Sequence, residues 1–110
     1  MPDSDPPQPE LTTLDSLTKA PHAEIFEERR PRTVRLQLDA GERVPPHTHP
    51  GTHIVLHLVS GHLELSLDDE TYDVNPGELV RCSGECKISP HALEPSTAVI
   101  VFAPTETDGE

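Results

Sequence analysis

The chain predicts an all-β fold, a sandwich or barrel of short antiparallel strands, and three observations carry that reading. Between its two ends, apolar residues alternate with polar ones at a period of two, as in strands with one buried face. Gly, Pro and Asp turns separate these runs into strands of roughly five residues. Thirteen prolines work against long helices, because each lacks a backbone donor and crowds the preceding turn. At 110 residues the chain is one domain at most. With no Trp, two Phe and one Tyr, its core must be aliphatic.

Met1–Glu10 (MPDSDPPQPE) is rich in proline and acid with no apolar periodicity, which predicts disorder. Leu11, Leu14 and Leu17 follow at a spacing of three, fitting either a short helical turn or an extended docking arm. Val34, Leu36 and Leu38 alternate with Arg35 and Gln37 as a strand, ended by Asp39-Ala40-Gly41. Ile54, Leu56 and Leu58 alternate with Val55, His57 and Val59, and Ser60-Gly61 then reads as a turn. Leu63, Leu65 and Leu67 mark the next strand, closed by a turn at Asp68-Asp69. Tyr72 to Val74 leads into Asn75-Pro76-Gly77, Glu78 to Cys82 gives another short strand, and Ala98 to Phe102 closes the domain. Residues 1–20 therefore read as a Pro- and acid-rich tail or arm, 21–104 as the barrel, and 105–110 as an acidic tail.

The formal charge is −12, from twenty acids against eight bases. Thirteen of those acids and seven of the bases lie in residues 21–103, so the acidity is not confined to the ends. Nucleic acid and anionic membrane both require a positive surface, and neither is an expected partner. Two lysines accompany six arginines. That balance fits a protein adapted to high salt, where screening removes self-repulsion, and equally an ordinary acidic bacterial or archaeal protein. No apolar run reaches eighteen residues and no basic-then-apolar stretch opens the chain. Neither a membrane span nor a signal peptide is expected, and cytoplasmic placement follows by default. Cys82 and Cys86 then read as free thiols, since extended backbone would hold them roughly 13 Å apart. A turn at Ser83-Gly84 leaves a disulfide or redox pair as the alternative.

Five of the seven histidines, His47, His49, His53, His57 and His62, fall within sixteen residues, HTHPGTHIVLHLVSGH. Neutral imidazole is the commonest protein ligand for transition metals. On a strand, His47 and His49 face one side about 6.6 Å apart, close enough to converge on one ion. Pro45-Pro46 stiffens the approach, and Pro50-Gly51 forces a reversal that can return His53 beside the pair. The competing reading is surface histidines near a turn.

Gly41, His47-Thr48-His49 and Gly61 resemble the first motif of the cupin superfamily: glycine, HxH, glutamate and glycine in that order. The leucine run 63–67, the turn Asp68-Asp69-Glu70, Asn75-Pro76-Gly77-Glu78 and the ending Thr97–Pro104 are similar to the rest of that domain. The resemblance covers about Val34 to Pro104 and implies an antiparallel β-barrel of the jelly-roll type. Fold likeness of this kind does not fix function. No acid stands at the glutamate position. Counting forward from His49 puts His53 there; counting back from Gly61 puts Ile54 there. A one-residue slip flips every side chain between faces, so His53, Val55 and His57 point inward under one count, and Ile54, Leu56 and Leu58 under the other. The leucine alternation favours the second, with His57 outside and His53 still able to reach inward from the turn. In the second motif, Lys87 stands where the last metal ligand is expected, Cys86 is adjacent, and His91 lies four residues late.

The resemblance thus implies His47, His49, His53 and His91 as metal ligands, with Cys86 as an alternative fourth. Imidazoles without a carboxylate suit Zn(II), Fe(II), Ni(II) or Cu(II) better than Mn(II) or Mg(II). Two functions remain open. One is a metal-dependent barrel acting on a small molecule, dioxygenase- or isomerase-like if it is an enzyme. The other is a non-catalytic binding or sensor module whose metal site is degenerate or absent. His62 reads as an exposed turn residue and His22 as part of the N-terminal arm. Glu27–Arg30 reads as a solvated charged stretch or, since single-domain cupins commonly dimerise, as an edge strand pairing with a second subunit.

Overall fold

The computed structural model describes residues 9–105. Most of the Pro- and acid-rich start, and the acidic end beyond Thr105, lie outside the described residues. A single 3-10 turn, Leu14–Ser16, precedes six strands: β1 (His22–Glu24), β2 (Arg32–Leu38), β3 (Thr52–Leu67), β4 (Glu70–Val74), β5 (Leu79–Ser83) and β6 (Ile88–Pro104). All pairings are antiparallel. The sheet order is β1-β2-β6-β3-β4, with β5 also on β3. The all-β jelly-roll expectation is met.

The long strands β3 and β6 run the length of the domain and pair almost throughout. Their free edges are covered in halves. The first half of β3 takes β5 and the second takes β4. The last part of β6 takes β2. Its first part takes the segment Gly41–His47, through Val44 N–H to the Pro90 carbonyl at 2.9 Å and bridges at Arg43–His91 and His47–Ile88. The sheet folds over so that both halves enclose one core, which runs from Val34, Leu36 and Ile54 to Leu63, Leu65 and Val74.

The turn expected at Ser60-Gly61 is a bulge inside β3. The register against β6 shifts between Leu58 and Leu63, and Gly61 takes a φ of +95°, which L side chains avoid. A Cβ on Gly61 would overlap Ser96 and the Pro95 carbonyl. The extra residue also switches parity. Ile54, Leu56 and Leu58 face the core before the bulge, and Leu63 and Leu65 after it, as insertion of one residue into a period-two strand requires. Asp68-Asp69 is a true two-residue hairpin turn, with Leu67 opposite Glu70 and Asp68 at φ 56°. The closing strand read at Ala98–Phe102 begins ten residues earlier, at Ile88. Pro90 sits where its carbonyl, not an N–H, is needed, and Pro95 falls at the register shift.

The N-terminal arm packs on the outer wall. Arg35, on the outward face of β2, is 5% exposed and donates to carbonyls of Leu14, Leu17 and Lys19. Gln37 N–H bonds the Pro21 carbonyl at 2.8 Å. These contacts deliver His22 to the start of β1, opposite Leu36.

Candidate functional site

At one end of the barrel lies a cavity of about 280 Å³. Val34, Ile54, Ile88, Ile100 and Phe102 form its apolar walls, while His22, Arg32, His47 and His49 supply the polar groups. This is at the small end of ligand pockets, and a mostly apolar surface with a few grouped polar side chains is how such pockets are built.

His47 and His49 reach this cavity because the segment carrying them is tied down on both sides. His47 exchanges backbone hydrogen bonds with Ile88 at 2.8 and 3.2 Å, and His49 N–H donates to the Gly84 carbonyl at 2.7 Å. Thr52 Oγ1 closes the turn on the His49 carbonyl at 2.7 Å. The two rings meet edge to face, centroids 4.6 Å apart at 77°. His47 Nδ1 lies 2.8 Å from the Pro45 carbonyl. A carbonyl only accepts, so Nδ1 carries the proton and Nε2 of the neutral ring holds the lone pair. The His49 ring rests on Phe102 at 4.6 Å.

His22 arrives from β1 and Arg32 from the start of β2. Arg32 Nε donates to Glu24 Oε2 at 2.8 Å, and its guanidinium lies 5.1 Å over the Phe102 ring. His22 and His49 both titrate below ordinary imidazole. For each, burial is the main cause, followed by repulsion from His47 when that ring is protonated and from the Arg32 guanidinium; His22 adds to the effect on His49, and Glu24 partly offsets it at His22.

The remaining expected site residues lie elsewhere. Ile54, not His53, faces inward, fully buried, so the count back from Gly61 holds. His53 is on the outer face, its Nδ1 accepting from Arg81 at 3.2 Å. His91 also faces away from the cavity that its neighbour Pro90 lines; its Nδ1 donates to Glu64 at 3.4 Å, the cross-strand partner on β3. Cys86 follows a turn closed by its N–H to the Ser83 carbonyl, with its thiol beside Asp68. Cys82 and Cys86 are both free, the reading of the sequence as free thiols. Lys87 N–H bonds Asp68 Oδ1 at 2.9 Å, and the next residue, Ile88, is the one that enters the cavity. His62 pairs with Asp73 on the exterior. His22, Arg32 and Phe102 were not foreseen in the site. They come together through the β1–β2–β6 pairing, which leaves no local trace in the sequence.

A model of the cupin domain matches residues 34–102. The chain belongs to the cupin family. No curated protein matches it. Among solved structures, this cupin is similar to KdgF from Halomonas sp., with a TM-score of 0.76 and 20% identity over 92% of this chain and 100% of the other. It is also similar to an RmlC-like cupin from Shewanella frigidimarina, with a TM-score of 0.74 and 12% identity over 94% and 97%. An RmlC-like cupin from Methanocaldococcus jannaschii gives a TM-score of 0.73 and 18% identity over 92% and 94%. At these identities the likeness is one of fold.

The expected quartet His47, His49, His53 and His91 does not fit a resident transition metal, because outward-facing His53 and His91 are not brought to the other two. At the first motif's glutamate position, and opposite His47, stand Ile54 and Ile88. Arg32 adds a fixed positive charge beside the imidazoles. Among the described residues no three or more His, Cys, Asp or Glu are grouped as a metal requires. What the cavity offers is shape, apolar contact, imidazole hydrogen bonding and one permanent positive charge.

Proposed function

We propose that this cupin binds a small, largely apolar molecule in the barrel mouth, with His22, His47, His49 and Arg32 as the polar contacts. The observation that carries the reading is the cavity itself: about 280 Å³, aliphatic on most sides, with its polar groups confined to four side chains. Neutral imidazoles in such a place orient a ligand by hydrogen bonds, and apolar burial supplies most of the affinity. This is the binding-module reading of the sequence, preferred because isoleucines fill the places where further metal donors would stand.

The test is a fragment titration followed by the isoleucine δ1 methyl resonances. Binding in the cavity moves Ile54, Ile88 and Ile100 together and saturably. Ile100→Phe, which adds volume where the ligand would lie, weakens binding at least about fivefold, since overfilling a packed space costs about 1–3 kcal/mol. Fragments that shift only residues outside the cavity, or bind Ile100→Phe as well as wild type, refute the proposal.

A further inference from the structure

The rim of the cavity reverses the charge of the molecule. The protein carries −12 overall with only six arginines, yet Arg29, Arg30 and Arg32 converge on one depression of about 190 Å³ at the mouth. That depression shares Arg32, His49 and Phe102 with the cavity, so the two adjoin at these side chains. A positive rim on low-dielectric walls focuses the field and concentrates anions from a surface that otherwise repels them.

Where the two adjoin, Arg32 is placed to receive a negative charge. Arg32 is held by Glu24 through Nε alone, with its plane supported on Phe102. Its two Nη groups have no protein acceptor among the described residues. Glu24 does not neutralise the cluster, because it also pairs with Arg29 at 3.5 Å. Glu24 is thus one carboxylate shared between two guanidiniums, and the Arg29, Arg30 and Arg32 cluster keeps a net positive charge.

We propose, resting on the small-molecule reading above, that the ligand is a small monocarboxylate: its carboxylate on Arg32 at the rim, its apolar body between Ile54, Ile88 and Ile100. The planar Nη edge matches a carboxylate in bidentate geometry. A phosphate ion fits less well, since it has no apolar body to fill the space between Ile54, Ile88 and Ile100.

The experiment compares matched pairs, benzoate with benzamide and isovalerate with isovaleramide, by calorimetry and methyl resonances at low and high salt. Wild type binds each carboxylate at least about tenfold tighter than its amide, and salt narrows the gap. Arg32→Gln removes that preference by weakening the carboxylate at least about tenfold more than the amide; Arg32→Lys retains part of it. Arg29→Gln with Arg30→Gln, both at the rim, lowers carboxylate affinity at low salt by about two- to fourfold without touching the amide. That double variant decides the matter if Arg32→Gln does not fold. Equal binding of acid and amide overturns the carboxylate assignment and leaves the cavity reading standing. Inorganic phosphate displacing benzoate at equal concentration overturns the assignment in favour of a phosphate ligand. No saturable shift from either member of any pair overturns both proposals.

Discussion

Replacing Arg35 with methionine should release the N-terminal arm and, through it, His22. The guanidinium is almost fully buried and holds the arm by three carbonyls, Lys19 at 2.9 Å, Leu14 at 3.3 Å and Leu17 at 3.5 Å. No carboxylate lies within ion-pair distance of it among the described residues, and its Nε has no partner. The short charged bond contributes about 1.5–3 kcal/mol, and the two long ones together less than about 1 kcal/mol. Removing the unsatisfied Nε returns about 1 kcal/mol. The net loss is about 2 kcal/mol, roughly thirtyfold in the equilibrium between docked and free arm. The arm runs directly into Pro21 and β1, so lifting it draws His22 out of the cavity. Amide hydrogen exchange is the assay, with a urea midpoint as control for global stability. Arg35→Met should accelerate exchange about thirtyfold across Leu14–Glu24 while β3 and β6 keep their protection. Unchanged exchange in that segment, or equal acceleration in every strand, refutes the latch.

Gly61→Ala should destabilise the fold by about 3 kcal/mol or more, since it combines a left-handed φ with overlap on Ser96 and Pro95. Gly77→Ala, at φ +89° with open space around it, should cost only about 1–2 kcal/mol by urea unfolding; equal losses would mean that the bulge contact contributes nothing. Because His22 and His49 titrate below the ordinary value of 6.5 when folded, the unfolded chain binds more protons at acid pH. Their contribution is therefore complete above about pH 6.5 and is lost as pH falls through the lowered folded values. Unfolding measured from about pH 7.5 to about pH 5 should show this loss, and His22→Gln should flatten it. Ile88→His adds an imidazole beside His47 and should raise Zn(II) or Ni(II) retention above that of wild type, read by metal content after dialysis. Equal metal retention by wild type and variant would contradict the assignment of Ile88 as the residue that closes the site to metal.

Period two was enough to find β2 and both halves of β3, because those strands bury one face of leucine, valine or isoleucine; β4 and β5, which bury Val74 at most, were legible only from the turns that bound them. It failed where burial is not aliphatic. The first part of β6 carries Ser89, Pro90 and His91, and its prolines look like breakers until the partner strands show that no N–H is needed there. His22–Glu24 is too short to display a period at all. The choice between His53 and Ile54 was open in the sequence because it turns on one residue of register, and the bulge at Gly61 sets it. His47 and His49 could be placed at a site from their spacing. Their companions could not, because His22 and Arg32 reach the cavity only through pairing between β1, β2 and β6. The histidine density itself misled: alternation sends His53 and His57 to the outer face, and His62 and His91 pair with carboxylates across strands.

The central claim is that the cavity beside His47 and His49 binds a small molecule through Arg32 and apolar contact, without a metal. The most direct measurement is a benzoate titration of metal-stripped protein, following the δ1 methyls of Ile54, Ile88 and Ile100, repeated with one equivalent of Zn(II) or Ni(II). The same saturating shifts and the same affinity are expected in both. Shifts that arise only after metal is added would contradict the claim.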